Sequence, residues 1–315
     1  MSSKNKITIG TRGSELALWQ SNWVAKRLQQ LYPSLAIETT VIKTTGDKIL
    51  DSPLSKIGDK GLFTKEIENA LLEKTIDLAV HSLKDVPTNL GDGLTIGAIT
   101  EREDVRDVFI SHPKKKHRSL SAVPKNGSIA TGSLRRKCQL LSHRPDLNIV
   151  DIRGNLKTRR AKLEESEWDG MLLAKAGVTR LGWSEIISEV LPPTLILPAV
   201  GQGALAIEFR SDDSFLASTL EPLNHPPTCQ TTAGERALLR FLEGGCQIPI
   251  GTYGRIVAGQ FHLDAVVGSL NGKKMVRGTI SGAPDDSEKL GVSLAQELLK
   301  QGADEILQEI RMSGS

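Results

Sequence analysis

Hydrophobic and polar positions along this chain alternate in two rhythms, and the rhythms change at turns. Ile7-Thr8-Ile9 reads as a short strand. Gly10-Thr11-Arg12-Gly13 then turns the chain, and Ser14 caps a helix that carries Leu18, Trp19, Trp23, Leu28 and Leu31. Glu38 to Lys43 reads as the next strand. Thr44 to Gly61 is polar and rich in Gly, Asp and Lys, so it reads as a long loop, and loops of that length in compact domains are often lids or binding loops. A helix over about Thr64 to Lys74 and a strand over Ile76-Asp77-Leu78-Ala79-Val80 follow. Strands alternating with helices predict an α/β domain with a largely parallel sheet.

The same rhythm recurs from about Phe109 to Leu197. Ile129-Ala130 ends a strand, Thr131-Gly132-Ser133 turns, and a helix opens at Leu134. Ile149 to Ile152 is a second strand, followed by Arg153-Gly154-Asn155 and another helix, and Met171 to Ala174 is a third. The repeat is one of architecture, not of residues. Proline marks stiff crossings at Pro192-Pro193, Pro198, Pro222 and Pro226-Pro227. Thr232-Ala233-Gly234-Glu235 has the form of a capping box opening a helix that ends near Gly244-Gly245. Phe261 to Ala265 alternates as a half-buried strand, Met275 to Ile280 is its expected neighbour, and Leu290, Leu294 and Leu298 form one helix face. This last stretch predicts a small α+β domain.

Composition narrows the classes. A chain of 315 residues exceeds what one hydrophobic core usually serves, so two or three domains are expected. The hydrophobic fraction of 39% and charged fraction of 24% are ordinary for a globular protein. Aromatics make up only 4%, too few for a base-stacking surface, and no helix-turn-helix or RNA-binding signature occurs, so nucleic acid is not the expected partner. No apolar run approaches the roughly 20 residues of a membrane span. No apolar signal region precedes the first strand, so the expected location is cytoplasmic, or an organelle after removal of a transit segment. Cys138, Cys229 and Cys246 form no C-x-x-C pair, which fits a reducing compartment, and the histidines show no zinc-ligand spacing, so no metal is expected.

The chemistry concentrates at the turns after strands, where open α/β sheets bind ligands. Three of these turns carry arginine: Arg12, then Arg135 and Arg136, then Arg153 with Arg159 close behind. Thr131 to Lys162 holds nine Lys or Arg against two acids, Asp146 and Asp151. A charge run is ordinarily a solvated face. Here the cations fall at strand-to-helix turns, which favours an anion site, since the planar guanidinium fork matches carboxylates and phosphates. After Val80 comes His81-Ser82-Leu83-Lys84-Asp85-Val86-Pro87. Lys84 and Asp85 read either as a surface pair of little energetic weight or as a fixed carboxylate able to stabilise a developing cation. Cys246 follows a helix end and two glycines. A lone cysteine is usually packing, but this position favours an accessible thiol. Cys138 shares a helix face with Leu134 and Leu141 and reads as core.

Taken in order, these segments resemble the porphobilinogen deaminase (hydroxymethylbilane synthase) family. The matching stretches are Gly10 through Gln20, Lys43-Thr44-Thr45-Gly46-Asp47, Lys60 through Glu66, His81 to Pro87, Arg102-Glu103-Asp104, Gly132 to Gln139, Asp151 to Asn155, Leu197 to Ala206 and Gly244 to Gly251. Each is weak alone; together they span nearly the whole chain. The resemblance implies an α/β fold: two type II periplasmic-binding-protein-like domains with mixed sheets flanking a cleft, plus a small C-terminal α+β domain. Residues 1–103 and 204–221 would form the first domain and 109–197 the second, with hinges near 102–109 and 197–204, and 226–315 the cofactor-anchoring domain.

The resemblance also implies the reaction. Four porphobilinogens condense head to tail with loss of ammonia on a dipyrromethane cofactor, held covalently by Cys246, and hydroxymethylbilane is released by hydrolysis. Every pyrrole brings an acetate and a propionate, so several arginines along one site answer the growing negative charge. Loss of ammonia leaves a cationic azafulvene, which a single carboxylate answers. By motif matching Asp85 is that catalytic carboxylate. Lys84, Thr131, Ser133, Arg135 and Arg136, with Asp85, would bind the cofactor. Arg12, Ser14, Arg153 and Arg159 would bind substrate carboxylates, with Lys60 and Phe63 on a loop over the site. The family is usually monomeric, and a monomer is expected. Two departures stand out: Val105 where many members have proline, and Asp59 where glycine is frequent. A two-lobed binding protein for an acidic small molecule is the runner-up, and it leaves Cys246 without a task.

Overall fold

The computed structural model describes residues 5–48, 64–242 and 248–313. The chain runs β1 (Lys6–Thr11), α1 (Glu15–Leu31), β2 (Ala36–Val41), α2 (Thr45–Lys48), α3 (Lys65–Leu72), β3 (Leu78–Ser82) and β4 (Leu94–Ile99). It continues with β5 (Asp107–Ser111), β6 (Ser128–Ala130), α4 (Leu134–His143), β7 (Asn148–Val150), α5 (Leu156–Glu165), β8 (Gly170–Ala174), α6 (Lys175–Arg180) and β9 (Glu189–Val190). It ends with β10 (Leu205–Arg210), α7 (Ser214–Leu220), α8 (Pro226–Phe241), β11 (Ile250–Val257), β12 (Gln260–Gly268), β13 (Met275–Gly282), α9 (Ser287–Leu298) and α10 (Asp304–Ser313).

Two compact units emerge. The first takes described residues 5–48, 64–103 and 203–229; the second takes 104–202, 230–242 and 248–313. The chain therefore passes between them at 103–104, 202–203 and 229–230.

The first unit holds a five-stranded sheet in the order β2-β1-β3-β10-β4. β1 runs parallel to β2 and β3, while β10 runs antiparallel to β3 and β4. Ile7, Ile9, Leu78, Val80 and Ile207 from the strands meet Val24 and Leu28 of α1 in one core. Each such fully buried side chain contributes about 1.5–3 kcal/mol. Leu31, expected on the apolar face of α1, is 46% exposed at the last residue of the helix. Gly10 sits where a Cβ would meet Ile76 Cδ1 at 2.2 Å, so a larger residue at the end of β1 would require the Ile76 side chain to move.

The second unit repeats the plan. Its sheet order is β7-β6-β8-β5-β9, with β6 parallel to β7 and β8, and β5 antiparallel to β8 and β9. Both sheets are thus mixed rather than largely parallel. In each, one strand that reaches the sheet along a crossing segment, β10 or β5, is inserted against the direction of its neighbours. The α/β pattern was visible in the strand-helix alternation; the inserted antiparallel strands were not.

The same unit carries the antiparallel sheet β11-β12-β13. Leu294 and Leu298 of α9 join Phe261, Leu263 and Leu238 in its core. The helix expected to open at Thr232 begins six residues earlier, at Pro226. Pro226 and Pro227 occupy its first turn, where a missing N–H costs nothing, and Thr232 lies inside it, fully buried. Among the described residues no helix is long and apolar enough to cross a membrane.

Candidate functional site

In the first unit, parallel pairing of β1 with β3 brings their carboxyl ends side by side, with Gly10 opposite Ala79. The turn after β1 delivers Arg12 and Ser14. Ser14 caps α1 by accepting a hydrogen bond from the Ala17 amide at 3.3 Å. The chain after β3 forms one 3-10 turn, Leu83–Asp85, whose Leu83 is buried while Asp85 is exposed. Gln20, only 3% exposed, donates from Nε2 to Ser82 Oγ at 2.9 Å and ties the helix to the end of β3. Arg12, Ser14, Gln20, His81, Ser82 and Asp85 line a small cavity of about 70 Å³. Beneath it lies a buried pair: His81 Nε2 stands 3.0 Å from Glu208 Oε2, with the two side chains 5% and 1% exposed. Asp85 makes no ion pair with a described residue. It stands beside a guanidinium and three hydroxyl side chains, Ser14, Thr64 and Ser82, in the lining of this cavity.

In the second unit the matching edge is built the same way. Thr131, 3% exposed, donates its amide to Val150 O at 2.9 Å, and its Oγ1 accepts from the Ser133 amide at 3.2 Å. A Cβ on Gly132 would lie 2.6 Å from the Ile152 carbonyl oxygen, so this turn requires glycine. Gly154 adopts φ +115°, a conformation other residues rarely take. Asn155 caps α5 by accepting from the Thr158 amide at 2.9 Å. Arg159 Nε donates to the Gly154 carbonyl at 2.8 Å, which fixes that guanidinium beside the turn. Arg153 follows β7 in a half-buried position, and burial pulls its pKa down against the opposing pull of Asp151.

Arg135 and Arg136 lie elsewhere than a sequence reading suggests. Both are 5% exposed and turn inward from α4. Arg135 Nη1 donates to Asp107 Oδ2 at 2.7 Å and to the Leu197 carbonyl at 2.6 Å. Arg136 donates from Nη2 to Asp107 Oδ1 at 2.8 Å and from Nη1 to the Leu172 carbonyl at 3.1 Å. Gln202 Nε2 adds a third donor to Asp107 at 2.9 Å and also reaches the Val105 carbonyl at 2.7 Å. Burial alone would raise the Asp107 carboxyl; the two guanidiniums outweigh it and hold it well below the usual carboxylate range. The arginines therefore tie the crossing segments around Val105 and 197–202 to α4. Arg136 Nε is buried without a partner, so this guanidinium keeps one donor unused.

Lys84 lies half-buried on the 3-10 turn with Asp85. Lys60, Phe63 and Cys246 lie outside the described residues, as does Asp59. Cys138 is fully buried, and burial pushes its thiol up to about 12, which makes it inert. Sequence reasoning missed Gln20, Asp107, Gln202 and Glu208. One signal existed for Glu208: a lone acid in the apolar run Leu205-Ala206-Ile207-Glu208-Phe209 needs a buried partner.

Each edge by itself carries donors of the kind that fit the carboxylates of a dipyrromethane: Arg12, Ser14 and Lys84 accompany Asp85 in the first unit, and the second unit offers Thr131, Ser133, Arg153 and Arg159 at turns that need glycine. Comparison with known proteins places the chain. Residues 7–218 match the profile of the porphobilinogen deaminase, dipyromethane cofactor binding domain, and 229–300 match the porphobilinogen deaminase, C-terminal domain. A porphobilinogen deaminase of Chlorobium phaeobacteroides is 56% identical over 312 residues, covering 98% of this chain and 99% of its own. One from Carboxydothermus hydrogenoformans is 52% identical over 308 residues, covering 98% of each. The chain belongs to the porphobilinogen deaminase family, the hydroxymethylbilane synthases of tetrapyrrole biosynthesis: transferases that condense four porphobilinogens, with loss of ammonia, on a dipyrromethane cofactor.

Proposed function

We propose that Asp85 is the catalytic carboxylate of this condensation. The observation that carries the reading is its position: an exposed carboxylate, without an ion pair to a described residue, at the end of β3 beside Arg12 and Ser14. An acid placed there accepts a hydrogen bond from a pyrrole N–H and stabilises the positive charge that spreads onto that ring when ammonia leaves. A preorganised charge of this kind acts without reorganisation cost. The dipyrromethane, when bound through Cys246, supplies the free pyrrole carbon to which the first substrate is joined.

Lys84, Thr131, Ser133, Arg135 and Arg136 are assigned to the cofactor's carboxylates, and Arg12, Ser14, Arg153 and Arg159 to those of substrate. Their chemistry supports this: hydroxyl and guanidinium donors suit carboxylates. For Arg135 and Arg136 the support is narrower, because their main bonds go to Asp107. They act on the cofactor chiefly by stiffening the turn at Thr131–Ser133, with Arg136 Nε as the spare donor. Lys60 and Phe63 are assigned to a covering loop. The segments near 102–109 and 197–204 are proposed as hinges between the domains at 1–103 with 204–221 and 109–197, with 226–315 as the anchoring domain. A monomeric, cytoplasmic enzyme is the reading that family habit and the bacterial relatives support.

The test is Asp85→Asn. It changes no buried contact and should leave the unfolding midpoint unchanged. Loss of a preorganised charge costs about 10²–10³ in kcat by comparison with oxyanion-type donors. Turnover of porphobilinogen within about threefold of wild type would remove Asp85 from the chemistry.

A further inference from the structure

A roomy cavity lies away from both carboxyl edges. It measures about 750 Å³ and lies wholly in the second unit. Its floor is apolar, formed by Ile110 of β5, Leu163 of α5 and Ile186. Its wall is the loop that follows β5, Pro113 to Arg118, which reads Pro-Lys-Lys-Lys-His-Arg.

The register fixes how far this cavity stands from the catalytic turns of its own unit. β5 is antiparallel to β8, with Asp107 opposite Ala174 and Ser111 opposite Gly170. The cavity therefore opens at the amino end of β8. The turns at Thr131 and Arg153 follow the carboxyl ends of strands in the same sheet, about 13 Å away across four residue steps.

Two observations point to an occupant. First, the charges are unbalanced. Lys115 and His117 both reach Asp169, at 3.1 and 3.0 Å, and Arg160 pairs with Glu164 at 2.9 Å. Lys114, Lys116 and Arg118, all exposed at the rim, make no ion pair with a described residue. Second, His112 lines the cavity and is 2% exposed, yet its Nε2 has no hydrogen-bond partner. Its Nδ1 accepts the Lys114 amide at 3.1 Å, so in the neutral ring the proton sits on Nε2. An unpaired buried N–H is costly, and an acceptor brought by a ligand removes that cost.

We propose that this cavity is a second, non-catalytic binding site for a small organic carboxylate with an apolar ring body. The ring lies on Ile110, Leu163 and Ile186. The carboxylate accepts from His112 Nε2 and faces the cations of Lys114, Lys116 and Arg118. The size suits such a ligand, since small-molecule sites run roughly 300–1,000 Å³.

Titration calorimetry of the full chain with naphthalene-2-carboxylate tests this, using naphthalene-2-carboxamide and inorganic phosphate as comparators. The carboxylate is expected to bind at one site. The carboxamide, lacking the charge, should bind about tenfold more weakly, and phosphate, lacking the ring, likewise. Arg118→Glu, and His112→Phe as a ring-preserving change, should each weaken the carboxylate about tenfold while porphobilinogen turnover by Arg118→Glu stays at the wild-type rate. Should His112→Phe fail to fold, Ile186→Glu, which places a like charge on the floor, carries the same expectation. Arg12→Leu should leave this binding unchanged. The proposal is overturned by equal affinity for carboxylate and carboxamide, by absence of binding, or by binding that Arg12→Leu abolishes and Arg118→Glu does not.

Discussion

Replacing Asp107 with asparagine isolates what the buried cations of α4 do. The carboxylate is fully buried and receives three donors: Arg135 at 2.7 Å, Arg136 at 2.8 Å and Gln202 at 2.9 Å. Asparagine keeps the shape but offers a single neutral oxygen, so two guanidiniums at 5% exposure lose their counter-charge. Removing one partner of such a buried group costs about 3–5 kcal/mol, a large share of the 5–15 kcal/mol typical of a folded domain. At about 2–4 °C per kcal/mol, the melting temperature should fall by about 6–20 °C. The assay is thermal unfolding of both proteins followed by circular dichroism. The sign with pH also follows. The folded carboxyl sits below its ordinary value, so its stabilisation is present above the unfolded carboxylate pKa of about 3.9 and is lost only as pH falls through the lower folded value. The deficit of the variant should therefore stay constant from about pH 5 to about pH 8 and shrink in stronger acid. A midpoint equal to wild type at neutral pH, or a deficit that vanishes between those limits, would refute the reasoning.

Other consequences are shorter to state. Gly132→Ala places a Cβ 2.6 Å from the Ile152 carbonyl, a backbone atom that cannot step aside, so it should cost about 1–3 kcal/mol and depress turnover by displacing Thr131 and Ser133. Denaturant titration and a turnover assay check both halves; wild-type values in each would show that the turn is slack. Arg153→Leu should leave the melting temperature within about 2 °C of wild type yet impair cofactor assembly or chain growth. Normal kinetics in that variant would count against a carboxylate clamp at the end of β7.

Much of the frame was legible because its signals are local. The strand-turn-helix units at Ile7–Ser14 and Ile129–Leu134 announce themselves through glycine turns and caps, and Asp85 stands out as an acid beside a strand end. What was not legible depends on partners far apart in sequence. Asp107 meets Arg135 and Arg136 across 28 and 29 residues, and nothing near Asp107 distinguishes it from a surface acid. Reading α4 by itself gave no hint that Arg135 and Arg136 also pair with Asp107. β10 was missed as an inserted strand because its apolar run follows directly on a proline-glycine crossing. α8 begins early because proline ends one element yet suits the first turn of another.

The central claim is that this chain builds its product on a dipyrromethane carried by Cys246 while Asp85 serves the ring being joined. Its most direct test is the intact mass of the denatured protein, beside Cys246→Ser, after exposure of both to porphobilinogen. The account predicts an excess equal to two linked pyrroles in the wild type and the bare chain mass in the variant. A bare mass for both, or the same excess in both, would contradict it.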